Sequence, residues 1–195
     1  FDGQGHSISG LKGRKVLCEN SGTIKNLCLA DSNWSGSFVD ENTFLGTIES
    51  CCSLGTYSFC NNNSGNITDS YIVDGSNVKY YENNEVTKNF SKDDLKTGRV
   101  AYELGGNWKQ NIEKGDTPDA VPLPNPEHGK VYYYQNCKGE NVYTNYENKY
   151  PDGNGGYHTA GDASGGYCTA CGEAVMVPEK DTNGVYQVKN LAEFI

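Results

Sequence analysis

The chain has 195 residues, enough for one large domain or two small ones. Its 25 acidic residues against 16 basic ones leave a formal charge of −9. That balance repels phosphate backbones and anionic lipid heads, so it argues against nucleic acid and membrane surfaces as partners. Only 35% of residues are hydrophobic, Gly numbers 24, and Tyr (14) far exceeds Trp (2) and Met (1), which suits many short strands and tight turns.

No stretch approaches the roughly 18 apolar residues of a membrane span, and no signal peptide opens the chain. Phe1 already lies in a patterned segment and residues 191–195 read as the start of a helix, so the expectation is a piece of something longer. Residues 1–11 read as a turn feeding a short strand, with Phe1, Ile8 and Leu11 as apolar marks.

One phrase then recurs three times. Gly22-Thr23-Ile24-Lys25-Asn26 is followed by Gly46-Thr47-Ile48-Glu49-Ser50 and by Gly65-Asn66-Ile67-Thr68-Asp69. The glycines stand 24 and then 19 residues apart, the spacing of a solenoid with one coil per repeat. A sharp bend at Asn26, Ser50 and Asp69 is expected, because Asn and Asp tolerate left-handed backbone angles; Ser50 fits that role less well. On this register Ile24, Leu27, Leu29, Ile48, Cys51, Ile67 and Ile72 point inward. Adjacent coils then stack like on like about 4.8 Å apart.

Cys28 and Cys52 fall on the same step of adjacent phrases, on the outward face. They read either as a disulfide or as two small, semi-buried thiols. Val73, Val78 and Tyr80-Tyr81 continue the third coil, and 82–85 forms a polar loop. Ser91 is a good N-cap for a helix running to about Leu104 and ended by Gly105-Gly106; that helix is expected to close the solenoid's open end. Pro118, Pro122, Pro124 and Pro126 make 108–134 an extended surface connector.

Residues 130–146 read as two strands, 147–166 as a Gly- and Asp-rich loop, and 181–184 as a turn before a strand at 185–188, with Asn190 capping the final helix. The resulting plan is 1–90 parallel β-helix repeats, 91–127 capping helix and connector, 128–176 a small Cys/His β module, and 177–195 a linker opening a further repeat domain. The fold class is mostly β: a short right-handed parallel β-helix with a helical cap and a small β module.

"FDGQGHSISGL" followed by "NSGTIKNLCL" resembles the GLUG-type β-helix repeats of large surface proteins and adhesins of gut bacteria. Residues 91–135 look like the segment that commonly follows such repeats, and 186–194 like the opening of another. The second and third coils lack the Gly-Gly-Ile stretches usual there. The resemblance implies an extracellular, cell-attached stalk or adhesin module without a reaction of its own.

The sharpest chemical candidate is Cys168-x-x-Cys171-Gly172 with Cys137 and His158 upstream, a tetrahedral metal set of three thiolates and an imidazole. A structural zinc would supply stability that the apolar-poor 128–176 segment lacks. A disulfide among the three cysteines and inert thiols are the other open readings; a redox catalyst is not expected without a thioredoxin-like βαβ pattern. Asp152-Gly153-Asn154-Gly155-Gly156 offers oxygen donors for calcium but lacks the spaced acids of a calcium loop, so it reads as a turn. Asp2 and His6 are the one conceivable acid/base pair, and they belong to the repeat wording. Tyr80-Tyr81 and Tyr132 to Tyr134 would suit sugar stacking if exposed, though alternating Tyr also suits a half-buried strand.

The leading expectation is therefore a non-enzymatic structural or adhesive module that presents a rigid stalk to host or polymer glycans or to a surface protein. The rival is a fragment of a polysaccharide-cleaving β-helix enzyme, a lyase or glycoside hydrolase, and a plain architectural spacer is the third reading.

Overall fold

The computed structural model describes residues 1–12, 15–30, 36–55, 58–113, 118–147, 155–159, 166–175, 179–180, 182 and 186–187. The chain is mostly β and divides into two compact units, Phe1–Val131 and Tyr132–Ile195.

In the first unit the strands are β1 (Ser7–Ile8), β2 (Lys15–Asn20), β3 (Thr23–Lys25), β4 (Cys28–Leu29), β5 (Ser37–Asn42), β6 (Thr47–Glu49), β7 (Cys52–Ser53), β8 (Cys60–Asn63), β9 (Asn66–Thr68), β10 (Ser70–Asp74), β11 (Asn77–Glu82) and β12 (Glu85–Ser91). Three successive passes each deliver one strand to each of three parallel sheets: β2-β5-β8, β3-β6-β9 and β1-β4-β7-β10. The recurring phrase sets the register. Ile24 pairs with Ile48 and Ile48 with Ile67, so the same apolar position is buried at every level.

The bend between the second and third strand of each pass sits where the sequence places it, with φ of 52° at Asn26 and 45° at Asp69. Ser50 adopts 48° as well, despite the poorer residue type. Its hydroxyl donates to Asp69 Oδ2 at 2.5 Å, tying it to the bend below. The interior holds every residue expected there, joined by Phe38, Val39, Phe59 and Cys60. The rings of Phe38, Phe59 and Tyr81 form an edge-on column with centroids 5.9 and 5.7 Å apart.

A ladder of asparagine side chains runs along the corner between the first two sheets. The Asn20 amide donates to Asn42 Oδ1 (2.8 Å), Asn42 to Asn63 Oδ1 (2.8 Å), and Asn63 to Asn84 Oδ1 (3.0 Å). Asn42 is fully buried, so its two links fill polar valences that water cannot reach, while the Asn63–Asn84 rung is exposed. Close packing against the ladder explains two of the phrase glycines: a Cβ on Gly46 would lie 2.1 Å from Asn42 Oδ1, and one on Gly65 2.2 Å from the Gly46 carbonyl. The second pass carries two extra residues at this corner, Phe44 and Leu45, which are 78% and 63% exposed.

Three expectations are corrected here. The third pass does not end in a polar loop followed by a capping helix. β10, β11 and β12 form an antiparallel meander whose two-residue turn, Asn83-Asn84, has positive φ at both positions (50° and 68°), as a tight hairpin requires. Asn84 also closes the edge of β9: its N–H donates to the Ile67 carbonyl, its Oδ1 accepts from the Ile67 N–H, and its amide donates to the Gly65 carbonyl. The hairpin and Asn84 are thus the cap.

The helix expected over 91–104 is broken. A 3-10 turn, Lys92–Leu95, follows the Ser91 cap, and α1 (Arg99–Leu104) starts only after Gly98. Gly98 has φ 84°, and a Cβ there would fall 2.1 Å from Ile112 Cδ1, so both the left-handed backbone and the close side chain suit glycine.

This segment does not cap an end; it covers the outer face of the six-stranded sheet. Leu95, Val100 and Trp108 pack there with Cys28, Cys52, Tyr71, Val73, Val78, Tyr80 and Phe90. The outward face of Cys28 and Cys52 is therefore buried, and the two form a disulfide with Cα atoms 4.4 Å apart. The Pro-rich connector crosses the same face, pinned by the Lys109–Leu123 bridge, by the Tyr71 hydroxyl on the Pro122 carbonyl (2.8 Å), and by His128 against Asp119 (2.6 Å).

The tyrosines considered for sugar stacking are partly lost to the interior. Tyr80 is buried with its hydroxyl against Asp69 and Glu82, Tyr81 packs on Phe59, and Tyr134 is buried. Asp2 and His6 form no pair: Asp2 accepts from the Gln4 N–H and the Asn26 amide and lies 3.5 Å from Lys25 Nζ. Among the described residues, no helix is long and apolar enough to cross a membrane.

Candidate metal centre

The second unit begins with the hairpin expected over 130–146, β13 (Tyr132–Gln135) and β14 (Asn141–Thr144). Its loop is built by Asn136, which accepts from the Lys138 and Glu140 N–H groups at 3.0 and 2.9 Å and donates its amide to Glu140 Oε2. Gly139 takes φ 78° to complete the turn. That geometry fixes Cys137 at the loop's apex.

The chain returns at Tyr157, bridging Asn136 in parallel, with the Tyr157 N–H on the Gln135 carbonyl and the Cys137 N–H on the Tyr157 carbonyl. His158 is thereby set beside Cys137. The Tyr134 ring packs edge-on against Tyr157 at 5.8 Å, and its hydroxyl meets Thr159 Oγ1 at 3.1 Å, bracing both sides of His158.

The last two donors come from a tight knuckle between β15 (Gly166–Tyr167) and β16 (Ala174–Val175). The Gly172 N–H donates to the Cys168 carbonyl, and the Cys168 N–H to the Glu173 carbonyl. Gly172 adopts φ 79°, the left-handed turn that a Cys-x-x-Cys-Gly run supplies. Outside these elements β17 (Glu179–Lys180) pairs with β18 (Tyr186–Gln187), within the strand expected at 185–188. Asp152, Gly153 and Asn154 of the calcium candidate, and residues 188–195, lie outside the described residues.

The ligand atoms of Cys137, His158, Cys168 and Cys171 all lie within 4.8 Å of one another, a group able to hold a metal ion. Cys137 Sγ is 3.6 Å from Cys168 Sγ, and Cys171 Sγ is 3.5 Å from His158 Nδ1. Four thiolate and imidazole donors around a tetrahedral zinc would stand roughly 3.5–3.8 Å apart, given Zn–S near 2.3 Å. The other ring nitrogen, Nε2, lies 3.6 Å from Glu173 Oε2.

Two of the thiols in this group are shifted in opposite directions. Burial works against the Cys168 thiolate, but the N–H groups of Cys171, Ala170 and Thr159 and the His158 side chain outweigh it and bring its pKa down to about 6. The Thr159 N–H is 3.3 Å from that sulfur. Cys137 is pushed up to about 12, by desolvation first and then by the neighbouring Cys171 and Cys168 sulfurs. Cys168 thus ionises more readily than an ordinary thiol and Cys137 less readily.

All four sequence-derived ligands are thus brought together. The asparagine ladder is the feature that sequence reading missed, although Asn-Ser-Gly at 20–22 and again at 63–65 announces it. No family model matches the chain, and no curated protein and no solved structure matches it.

Proposed function

We propose that the chain is a short parallel β-helix of stacked repeats, carrying a small zinc-stabilised β module, from an extracellular and cell-attached bacterial protein of the GLUG-repeat type. Its role is structural or adhesive: a rigid stalk segment offered to host or polymer glycans or to a surface protein. The observation that carries the reading is the like-on-like stacking, Ile24-Ile48-Ile67 inside and Asn20-Asn42-Asn63-Asn84 at the corner, which sets successive passes in one register.

Two further observations support it. The Cys28–Cys52 disulfide suits an oxidising compartment. Asp69, the acid at a repeat bend, is engaged by Trp108, Tyr80 and Ser50, so it holds the cover in place and is not presented to a substrate.

Retention on immobilised polysaccharides and mucin, together with assay of the same panel for new reducing ends or unsaturated products, tests this function. Retention without products supports the adhesive reading and no retention favours a spacer. Cleavage products would overturn the proposal in favour of a polysaccharide lyase or hydrolase.

A further inference from the structure

The corner that carries the left-handed bends is covered unevenly. Asn26 stands over Ser50 and Ser50 over Asp69, and Gln4 (φ 53°) turns the same corner between the Asp2–Lys25 bridge and the pairing of β1 with β4. The covering segment closes on the two lower bends, where the Asn107 amide donates to Ser50 Oγ at 3.3 Å and the Trp108 indole to Asp69 at 2.7 Å. Among the described residues, neither Gln4 nor Asn26 hydrogen-bonds to that segment. The cover nevertheless stays alongside. Gly5 packs so closely on it that a Cβ there would lie 2.7 Å from Asn125 Cβ.

Between the upper bends and the cover lies a cavity of about 430 Å³, walled by Asp2, Gln4 and Asn26 on one side and by parts of 106–109 and 124–126 on the other. That volume falls within the roughly 300–1,000 Å³ of small-molecule sites. Its bend wall is held in shape by Asp2 Oδ1, which accepts from both the Gln4 N–H (2.9 Å) and the Asn26 amide (3.0 Å).

The lining offers donors and acceptors in nearly equal measure. The Gln4 side-chain amide bonds to no other described residue. Asn26 and Asn107 direct their N–H groups to Asp2 and Ser50, which leaves each Oδ1 open. Lys109 Nζ donates to the Gly106 carbonyl at 2.7 Å and keeps two further N–H groups. Asp2 and Lys109 are the charged residues of the lining and cancel, so the cavity favours neither an anion nor a cation. Pro124 and Pro126 add apolar ring surface. A sugar ring matches this set: each hydroxyl both donates and accepts, and its C–H face is apolar.

We propose that this cavity binds a sugar residue of a neutral glycan. The inference rests on the adhesive reading above and gives it a contact site. Retention of the whole chain is measured on immobilised dextran, mannan, galactan and chitin oligosaccharides, with heparin as the anionic control. The test variant carries Gln4→Gly and Lys109→Ala. Glycine suits the left-handed backbone at position 4, and the Lys109 side chain holds only the Gly106 carbonyl, so the melting temperature should match the parent's.

The parent should be retained on at least one neutral glycan, and the variant should bind that glycan about tenfold more weakly. In the parent, titration with the matching oligosaccharide should shift the side-chain amide signals of Gln4, Asn26 and Asn107 saturably, a readout that does not depend on the variant folding. Equal binding by parent and variant, or shifts confined to the second unit, moves the glycan elsewhere and overturns the site while the adhesive reading stands. Retention on heparin alone overturns the neutral ligand. No retention on any neutral glycan overturns the cavity's role, and if mucin fails too the adhesive reading falls with it.

Discussion

Trp108 donates its indole N–H to Asp69 at 2.7 Å, joining the covering segment to the bend of the third pass. The ring lies 4.9 Å from Tyr71, whose hydroxyl is held by Pro122, so one tryptophan ties the turn, the sheet face and the connector together. Trp108→Ala is expected to cost about 3–5 kcal/mol through the cavity it opens. Trp108→Phe should cost about 1–2 kcal/mol, mainly the lost hydrogen bond to a charged acceptor. Urea unfolding of the two variants measures both, and a Trp108→Phe variant as stable as the parent would show that the indole N–H contributes nothing.

The buried middle of the asparagine ladder should matter more than its end. Asn42→Ala removes two side-chain links and strands the partners of both, a loss of about 2–3 kcal/mol. Asn20→Ala removes the end rung and should cost about half as much. The urea midpoints of the two variants give the comparison.

Deleting Phe44 and Leu45 together should leave stability within about 0.5 kcal/mol, as changes away from packed features usually do. The other two passes turn the same corner without them, and both side chains stand in solvent. A thermal melt of the deletion variant checks this; a drop of several degrees would show that the pair is part of the scaffold.

Buried thiols give the first unit an alkaline limit. Burial pushes Cys51 up to about 12 and Cys60 to about 11, from an ordinary value near 9.0. Above pH 9 the unfolded chain gives up these protons while the folded chain keeps them, so stability falls as pH rises. The slope approaches about 1.4 kcal/mol per pH unit for each group until the folded pKa is passed. In native protein at pH 8, Cys18 should react with iodoacetamide while Cys51 does not. Urea titrations between pH 8 and 11, with Cys51→Ala as the control, read the slope.

The second unit should bind close to one equivalent of zinc, and cobalt in its place should show the intense visible bands of tetrahedral thiolate coordination. Chelator is expected to lower the melting temperature, and Cys168→Ser to abolish the response to added zinc. Less than a tenth of an equivalent of zinc in protein made without chelator would remove the site.

Much of the first unit was legible because its register is written locally. A glycine, an isoleucine two residues on and a bend residue two beyond that suffice to align Ile24, Ile48 and Ile67. The ladder was harder to read: Phe44 and Leu45 stretch the Asn-to-Gly interval of the second pass from two residues to four, hiding the match to Asn20 and Asn63. Gly98 sits beneath Ile112, and Cys28 and Cys52 are buried in a cluster that includes Trp108. Neither partner is visible from the local pattern. The candidate metal centre was legible in its knuckle, where spacing alone sets geometry, while the approach of Cys137 and His158 needed the Asn136–Tyr157 bridge.

The central claim is that successive passes stack in register, and Cys28 above Cys52 is its most direct readout. Reduced protein reoxidised in a glutathione buffer and digested without reductant should yield one linked peptide pair containing Cys28 and Cys52. Recovery of Cys28 joined to Cys18, Cys51 or Cys60, or both residues alkylated as free thiols, would contradict that register.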